Sequence, residues 1–241
     1  MEYMDEHHLF FEYYLKALMD SPEGGQLRKS LENTIADEER CLNEFKKMIS
    51  HCQGQLSLIA KSISENGPSK VMMAKKRAFE EEQIILNIAA LAQQCSFETK
   101  GFQLLLYFEK NENTQARIIA NVSVMMYEWC EKLLGLSGKQ LQDIAKRLVT
   151  QNHVVQIHVA RKRVSDFYKN EKPTLSEIRN SVGAHRDQDF MKQMDVIDSL
   201  SWSDTLERFH EFEKATLAFG EALKPLMDAG LKQIGAAFEG V

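Results

Sequence analysis

Glycine and proline are scarce in this chain: 12 and 4 residues out of 241, with the prolines at positions 22, 68, 173 and 225 only. So few turn-forming residues argue against a turn-dense sandwich or barrel and leave room for long helices. No Val/Thr/Tyr-rich alternating run stands out, so a sheet is not expected. The four cysteines, Cys41, Cys52, Cys95 and Cys130, include no Cys-x-x-Cys pair. That spacing argues against a zinc knuckle and a disulfide framework, and buried thiols in a reducing cytosol fit better. Uninterrupted apolar runs stop near nine residues, as from Ile84 to Ala92, where even Asn87 interrupts. Such runs fall far short of a membrane span. The N-terminus lacks a basic region and carries Asp5 and Glu6, so no signal peptide and a cytoplasmic location are expected. A phosphate-binding glycine loop and a serine-nucleophile elbow are also missing.

Positive charge is in deficit overall, with a formal net charge of −5 that argues against generalised coating of nucleic acid. Its distribution is uneven. From Lys139 to Arg186 ten Lys/Arg stand against Asp143, Asp166, Glu171 and Glu177, a local balance of +6 that leaves −11 elsewhere. A basic segment of that kind suits a polyanion approaching one region, or equally a solvated lysine-rich helix face.

What is present reads as helix. The composition is 44% hydrophobic and rich in Leu, Ala, Glu, Lys and Gln, enough for one large or two small domains of an all-α, multi-helix bundle. A short aromatic helix is expected over residues 2–19, ended by Ser-Pro-Glu-Gly-Gly at 21–25. From Leu27 to about Ser64 apolar side chains recur at 27, 31, 35, 42, 45, 49, 52, 56, 59 and 63, the spacing of one helix face. Asn66-Gly67-Pro68-Ser69 is a stop, and a second long helix follows over roughly 70–96, so the two read as an antiparallel hairpin. Further helices are expected over 102–110, 115–134, 139–169 (continuous or broken), 204–223 and 226–238. The chain divides into an N-terminal helical region, 1–98, and a bundle, 99–241, unless the two form one continuous domain.

The most informative stretch for chemistry is Thr174-Leu-Ser-Glu177-Ile-Arg179-Asn180-Ser-Val-Gly-Ala-His185-Arg186-Asp187. Thr174 to Glu177 reads as a capping box after Lys172-Pro173, with Pro173 and Ile178 placed for a hydrophobic staple, which puts Arg179 near a helix start. An arginine there offers a fork of donors matched to phosphate oxygens, close to the positive end of a helix dipole. Histidine exchanges protons near neutral pH. Arg147 and His153 repeat the spacing, but Leu148 follows that arginine and no capping box precedes it.

The Arg179-Asn180-x4-His185 pattern resembles the signature of the HEPN superfamily, helical domains in which an Arg with a polar follower precedes a His by a short gap. The Ala184-His185-Arg186-Asp187 ending looks like the abortive-infection and toxin-type branches. The resemblance covers roughly 102–241 and is carried by the motif alone. It implies a metal-independent endoribonuclease without cofactor or metal ligands, with His185 exchanging protons, Arg179 stabilising the phosphorane and Asn180 orienting the phosphate or the histidine. Arg161, Lys162, Arg163 and Arg186 would then bind RNA. It also implies a homodimer, and an antitoxin protein as possible partner, in toxin–antitoxin or phage-defence systems. Some toxin members carry a modified tyrosine two residues after the histidine; here that position is Asp187, which puts such control in doubt. On a straight helix Arg179 and His185 lie about 120° apart. Convergence then requires a kink near Gly183 or a second copy across a two-fold axis, with residues 178–190 lining the shared cleft. The competing expectation is a non-enzymatic helical dimerisation or partner-binding module, with His185 in the core and Arg179 in a salt bridge.

Other clusters read as structural. Glu207-Arg-Phe-His210 has the spacing of one half of a di-iron site, without the second half. Asp5-Glu-His-His8 reads as terminus, Lys75–Arg77 with Glu80–Glu82 as an exposed charged face, and Met72, Met73, Met125 and Met126 as core.

Overall fold

Short polar side chains set the helix starts. Ser21 Oγ accepts the Gly24 amide at 3.2 Å, with Pro22 in the first helical position, where its missing N–H costs nothing. Ser69, Asn111 and Ser201 do the same for Met72, Thr114 and Asp204, at 3.1, 3.0 and 3.2 Å. The computed structural model describes residues 17–182 and 190–239, and the regular structure among them is entirely helical, as composition implied. The helices are α1 (Pro22–Asn66), α2 (Lys70–Phe108), α3 (Glu112–Leu136), α4 (Lys139–Leu148), α5 (Gln151–Val182), α6 (Phe190–Asp198) and α7 (Trp202–Glu239). Gly67, at φ 76°, ends α1 in the left-handed region that glycine enters without steric cost. Ser-Pro-Glu-Gly-Gly marks a helix end as expected, since the helical residues 17–19 give way to a turn at Asp20 and a bend at Ser21, and from Pro22 on it also opens α1.

Three further expected breaks, by contrast, are absent. Helix α2 runs through Gly101, α5 through Pro173 and α7 through Pro225. An interior glycine costs a helix about 1 kcal/mol and a proline about 3. Burial on both sides offsets that cost. Cys95, Thr99 and Leu106 are buried around Gly101, Tyr168, Leu175 and Ile178 around Pro173, and Leu223 and Leu226 around Pro225.

All ten stripe positions of α1 from Leu27 to Ile63 are buried or half-buried, and Leu31, Phe45 and Cys52 are fully so. Ser62 meets Met72 and His51 meets Phe79, contacts that step away from the turn on both helices together.

The chain forms two compact units, each discontinuous in sequence. The first comprises the residues up to Glu38, Ser96–Glu131 and Asp166–Lys214; its core holds Leu106, Met126, Leu175, Phe209 and Phe212. The second comprises Glu39–Cys95, Lys132–Ser165 and the residues from Ala215 on, with a core of Ile85, Leu86, Leu133, Leu141, Phe219 and Leu223.

The charged middle of α2 departs from the expected exposed face. Met125 and Met126 are core, but Met73 is 48% exposed, and Glu81 and Glu82 are buried. Glu81 accepts Arg77 Nε at 2.7 Å, Arg147 Nη2 at 2.6 Å and Gln233 Nε2 at 3.3 Å. Burial pushes its carboxyl up, but these donors outweigh it and hold the group below its ordinary range. Among the described residues Glu82 has no such partners: both its oxygens are buried without a hydrogen bond. Gly230 on α7 makes the room, since a Cβ there would collide with the Glu82 carboxyl.

Burial pushes Glu82 up from 4.5 to about 7. The folded state therefore binds more protons than the unfolded chain between those values, so stability falls as pH rises through that window. Glu82→Gln is expected to flatten this dependence and raise the melting temperature more at pH 8 than at pH 5. With the charged form costing about 1–3 kcal/mol and about 2–4 °C per kcal/mol in a chain of this size, the gain at pH 8 is several degrees. Circular-dichroism melts check it; parallel pH profiles for variant and parent contradict it.

Candidate functional site at the end of α5

The capping-box motif lies inside a helix, not at its start. Thr174–Glu177 is interior to α5, and Arg179 sits in that helix's last turn. The positive end of the helix dipole lies at Gln151, far from Arg179, so a phosphate at Arg179 does not gain the expected field. Leu175, Ile178 and Ser181 are buried, Val182 is half-buried and Asn180 is exposed.

Arg179 extends over α3. Its guanidinium lies 5.1 Å from the Tyr127 ring centroid, and its Nε is 3.8 Å from Glu128 Oε1, longer than a hydrogen bond. The side chain is 25% exposed, and its Nε is buried without a hydrogen-bond partner among the described residues. Next along the seam, Glu131 Oε1 accepts the Tyr168 hydroxyl at 2.8 Å and the Tyr127 hydroxyl at 2.9 Å. The two rings meet edge to face at 5.5 Å, and Lys172 Nζ lies 5.1 Å from the Tyr168 ring centroid. The Tyr168 hydroxyl, then the Tyr127 hydroxyl and the charges of Lys172 and Arg179, hold the Glu131 carboxyl below its ordinary range against its partial desolvation. Burial, and then Tyr127 and Glu131, push the Tyr168 phenol up. Tyr127 and Glu131 are four apart on α3, as are Tyr168 and Lys172 on α5, so each pair shares a helix face.

His185, Gly183 and Arg186 lie outside the described residues, as do residues 2–16, including Asp5 to His8. The straight-helix angle between Arg179 and His185 is therefore not observed. Of the basic positions in the second unit, Lys162 and Arg163 are exposed, while Arg161 is half-buried and donates from Nε to Ser137 Oγ at 3.2 Å. Arg147 is bound to Glu81, and His153 Nδ1 is 3.1 Å from Thr150 Oγ1, so that repeat of the spacing is structural.

A second polar network in the first unit escaped the sequence pattern. Gln103 Nε2 lies 3.3 Å from the Tyr107 hydroxyl, which is 3.0 Å from His210 Nε2. His210 Nδ1 is 3.8 Å from Glu213, and Lys100 pairs with both Glu213 and Gln103. Burial, with Glu213 adding to it, pushes the Tyr107 phenol up against the Gln103 hydrogen bond. His210 thus faces Tyr107 and Glu213, while Glu207, its neighbour in the di-iron spacing, is exposed. The i, i+4 spacing of Gln103 and Tyr107 was visible in sequence; their pairing with residues about a hundred positions away was not.

Among the described residues no group of three His, Cys, Asp or Glu side chains is placed to hold a metal ion, and no helix is long and apolar enough to cross a membrane. No family model, curated protein or solved structure matches the chain.

The stacking of Arg179 on Tyr127 can be separated from the Tyr127–Glu131 hydrogen bond. Tyr127→Phe keeps the ring and removes the hydroxyl; Tyr127→Leu removes both. Combining each with Arg179→Met in a double-mutant cycle is expected to give no coupling for Phe and about 0.5–2 kcal/mol for Leu, read from denaturant unfolding. Equal couplings in both backgrounds would show that the ring does not stabilise the cation.

Proposed function

We propose that the chain is an endoribonuclease of the HEPN type, working as a homodimer without a metal ion, in a toxin or phage-defence role. The single observation that supports this reading beyond the motif is the state of Arg179. Its guanidinium is held by Tyr127 and Glu128 in a fixed, largely desolvated position, while its Nε lacks a hydrogen-bond partner among the described residues. A guanidinium in that state retains donors for a phosphate oxygen, and desolvation strengthens what they bind. Asn180, exposed beside it, adds an amide.

In the proposed reaction a base takes the proton of the RNA 2′-hydroxyl and the 2′-oxygen attacks the adjacent phosphorus. The bond from phosphorus to the 5′-oxygen breaks as that oxygen gains a proton. The products are a 2′,3′-cyclic phosphate and a free 5′-hydroxyl. His185 exchanges protons and Arg179 neutralises the phosphorane charge. Two copies of the motif facing one cleft would supply both proton transfers. Arg186, Lys162 and Arg163 are the proposed RNA-binding cations; Arg161 joins them less directly, since it also holds Ser137.

A second reading has an observation of its own. Arg179 already has an aromatic and an acidic neighbour, as a purely structural arginine in a dimerisation or partner-binding module would.

The first reading expects RNA to be cut in EDTA with cyclic phosphate ends. His185→Ala should slow cleavage by roughly 10²–10⁴-fold, the usual size of a general acid–base contribution, with the far-ultraviolet circular dichroism unchanged. Arg179→Lys should also fail, because an ammonium cannot reproduce the guanidinium fork. Equal rates in parent and variants, or strict dependence on magnesium, sink the ribonuclease and leave the interaction module.

Binding and assembly give separate tests. Lys162→Gln with Arg163→Gln should lower the slope of log affinity against log salt by roughly 0.7 for each phosphate that is no longer neutralised, with the melting temperature unchanged. Light scattering should give a dimer, and Gly183→Leu should abolish either the dimer or cleavage. A strict monomer that still cleaves rules out the shared cleft.

A further inference from the structure

We propose that the first unit carries a binding site for a small organic cation, an alkyl- or quaternary ammonium, in the cavity where α2 ends beside the start of α7. The cavity holds about 200 Å³ and is lined by Tyr107, Phe108 and Trp202, with Met19, Asp20 and Glu109 among its other walls. Three features of the site favour a cation over an anion or a neutral guest.

The first is the aromatic walls. Tyr107 and Phe108 stand nearly perpendicular, 77° between planes with centroids 6.4 Å apart, and so form two sides of a corner. Trp202 is fixed by its Nε1 donating to the Leu106 carbonyl at 3.1 Å. Aromatic faces carry negative potential and attract ammonium groups. The Phe108 ring already does so here, because the Arg28 guanidinium lies 5.6 Å from its centroid.

The second is charge. Asp20 and Glu109 line the cavity against Lys110 alone, a balance of −1. Lys110 pairs with Asp20 at 2.6 Å, but both side chains are well exposed, so the pair costs little to rearrange. Glu109 Oε1 accepts the Asn111 amide at 2.8 Å, which holds the side chain in place at the cavity wall. Tyr107 and Phe108 also close the C-terminal turn of α2, whose dipole end favours a cation.

The third is rigidity. The Tyr107 hydroxyl is tethered by Gln103 and His210, and through them to Lys100 and Glu213. The ring is oriented before a ligand arrives, so binding costs less entropy. The volume is below the roughly 300–1,000 Å³ usual for drug-sized ligands, which limits the guest to a head group of choline size.

The test is calorimetric titration of the full chain with choline and with its neutral carbon isostere, which keeps the shape and removes the charge. Choline should bind saturably with a Kd of about 1 mM or tighter. The isostere, and choline binding to Phe108→Leu, should each be weaker by roughly 3–30-fold, the range of a cation–π contribution. Glu109→Gln should weaken choline and leave the isostere unchanged, a split that misfolding would not produce. Circular dichroism of Phe108→Leu should match the parent. No saturable binding of choline, equal affinity for the isostere, or full affinity in a folded Phe108→Leu variant overturns the proposal.

Discussion

Two phenols sharing one carboxylate oxygen hold α3 against α5, and the position of Arg179 depends on that contact. Glu131 takes hydrogen bonds from Tyr127 and Tyr168, the rings pack edge to face, and the next stretch of the seam places Arg179 over the back of Tyr127. Tyr127 thus has two roles: its hydroxyl ties the helices together and its face receives the guanidinium. The buried phenols also keep part of Arg179 out of water. The cost of desolvating a cation is offset by the ring and by the Glu128 charge nearby.

Helix content and the inward face of α1 were legible because they depend on composition and period, which survive any tertiary arrangement. The ten α1 stripe positions from Leu27 to Ile63 show this directly. Helix ends were less legible. Gly67 stops a helix because it adopts positive φ, whereas Gly101 does not, and the letter is the same in both cases. Pro173 sits in a sequence that reads as a boundary, but buried side chains on either side carry the helix across it. Local propensity amounts to a few kcal/mol at such a position, and core packing on both flanks outweighs it.

The acidic run on α2 shows a second limit. Glu80, Glu81 and Glu82 are indistinguishable in sequence, yet one is exposed beside Lys76, one is clamped by two arginines and one is buried without a partner among the described residues. Which is which depends on Arg147 and on Gly230, far along the chain. The candidate site divides in the same way. Arg179 and Asn180 could be found from a motif, while Tyr127, Glu128, Glu131 and Tyr168 could not, because they approach only when α3 and α5 pack.

Pro173 has a mechanical consequence. It has no amide hydrogen, so the carbonyl of Lys169 lacks the partner that every neighbouring rung of α5 retains. A rod with one missing strut is most compliant at that strut. α5 is therefore most compliant within a turn of Lys169. Arg179 lies beyond that joint, and its contacts with Tyr127 and Glu128 act as a latch. Whatever competes for the guanidinium pulls on the latch, and the joint at Pro173 is where the helix gives.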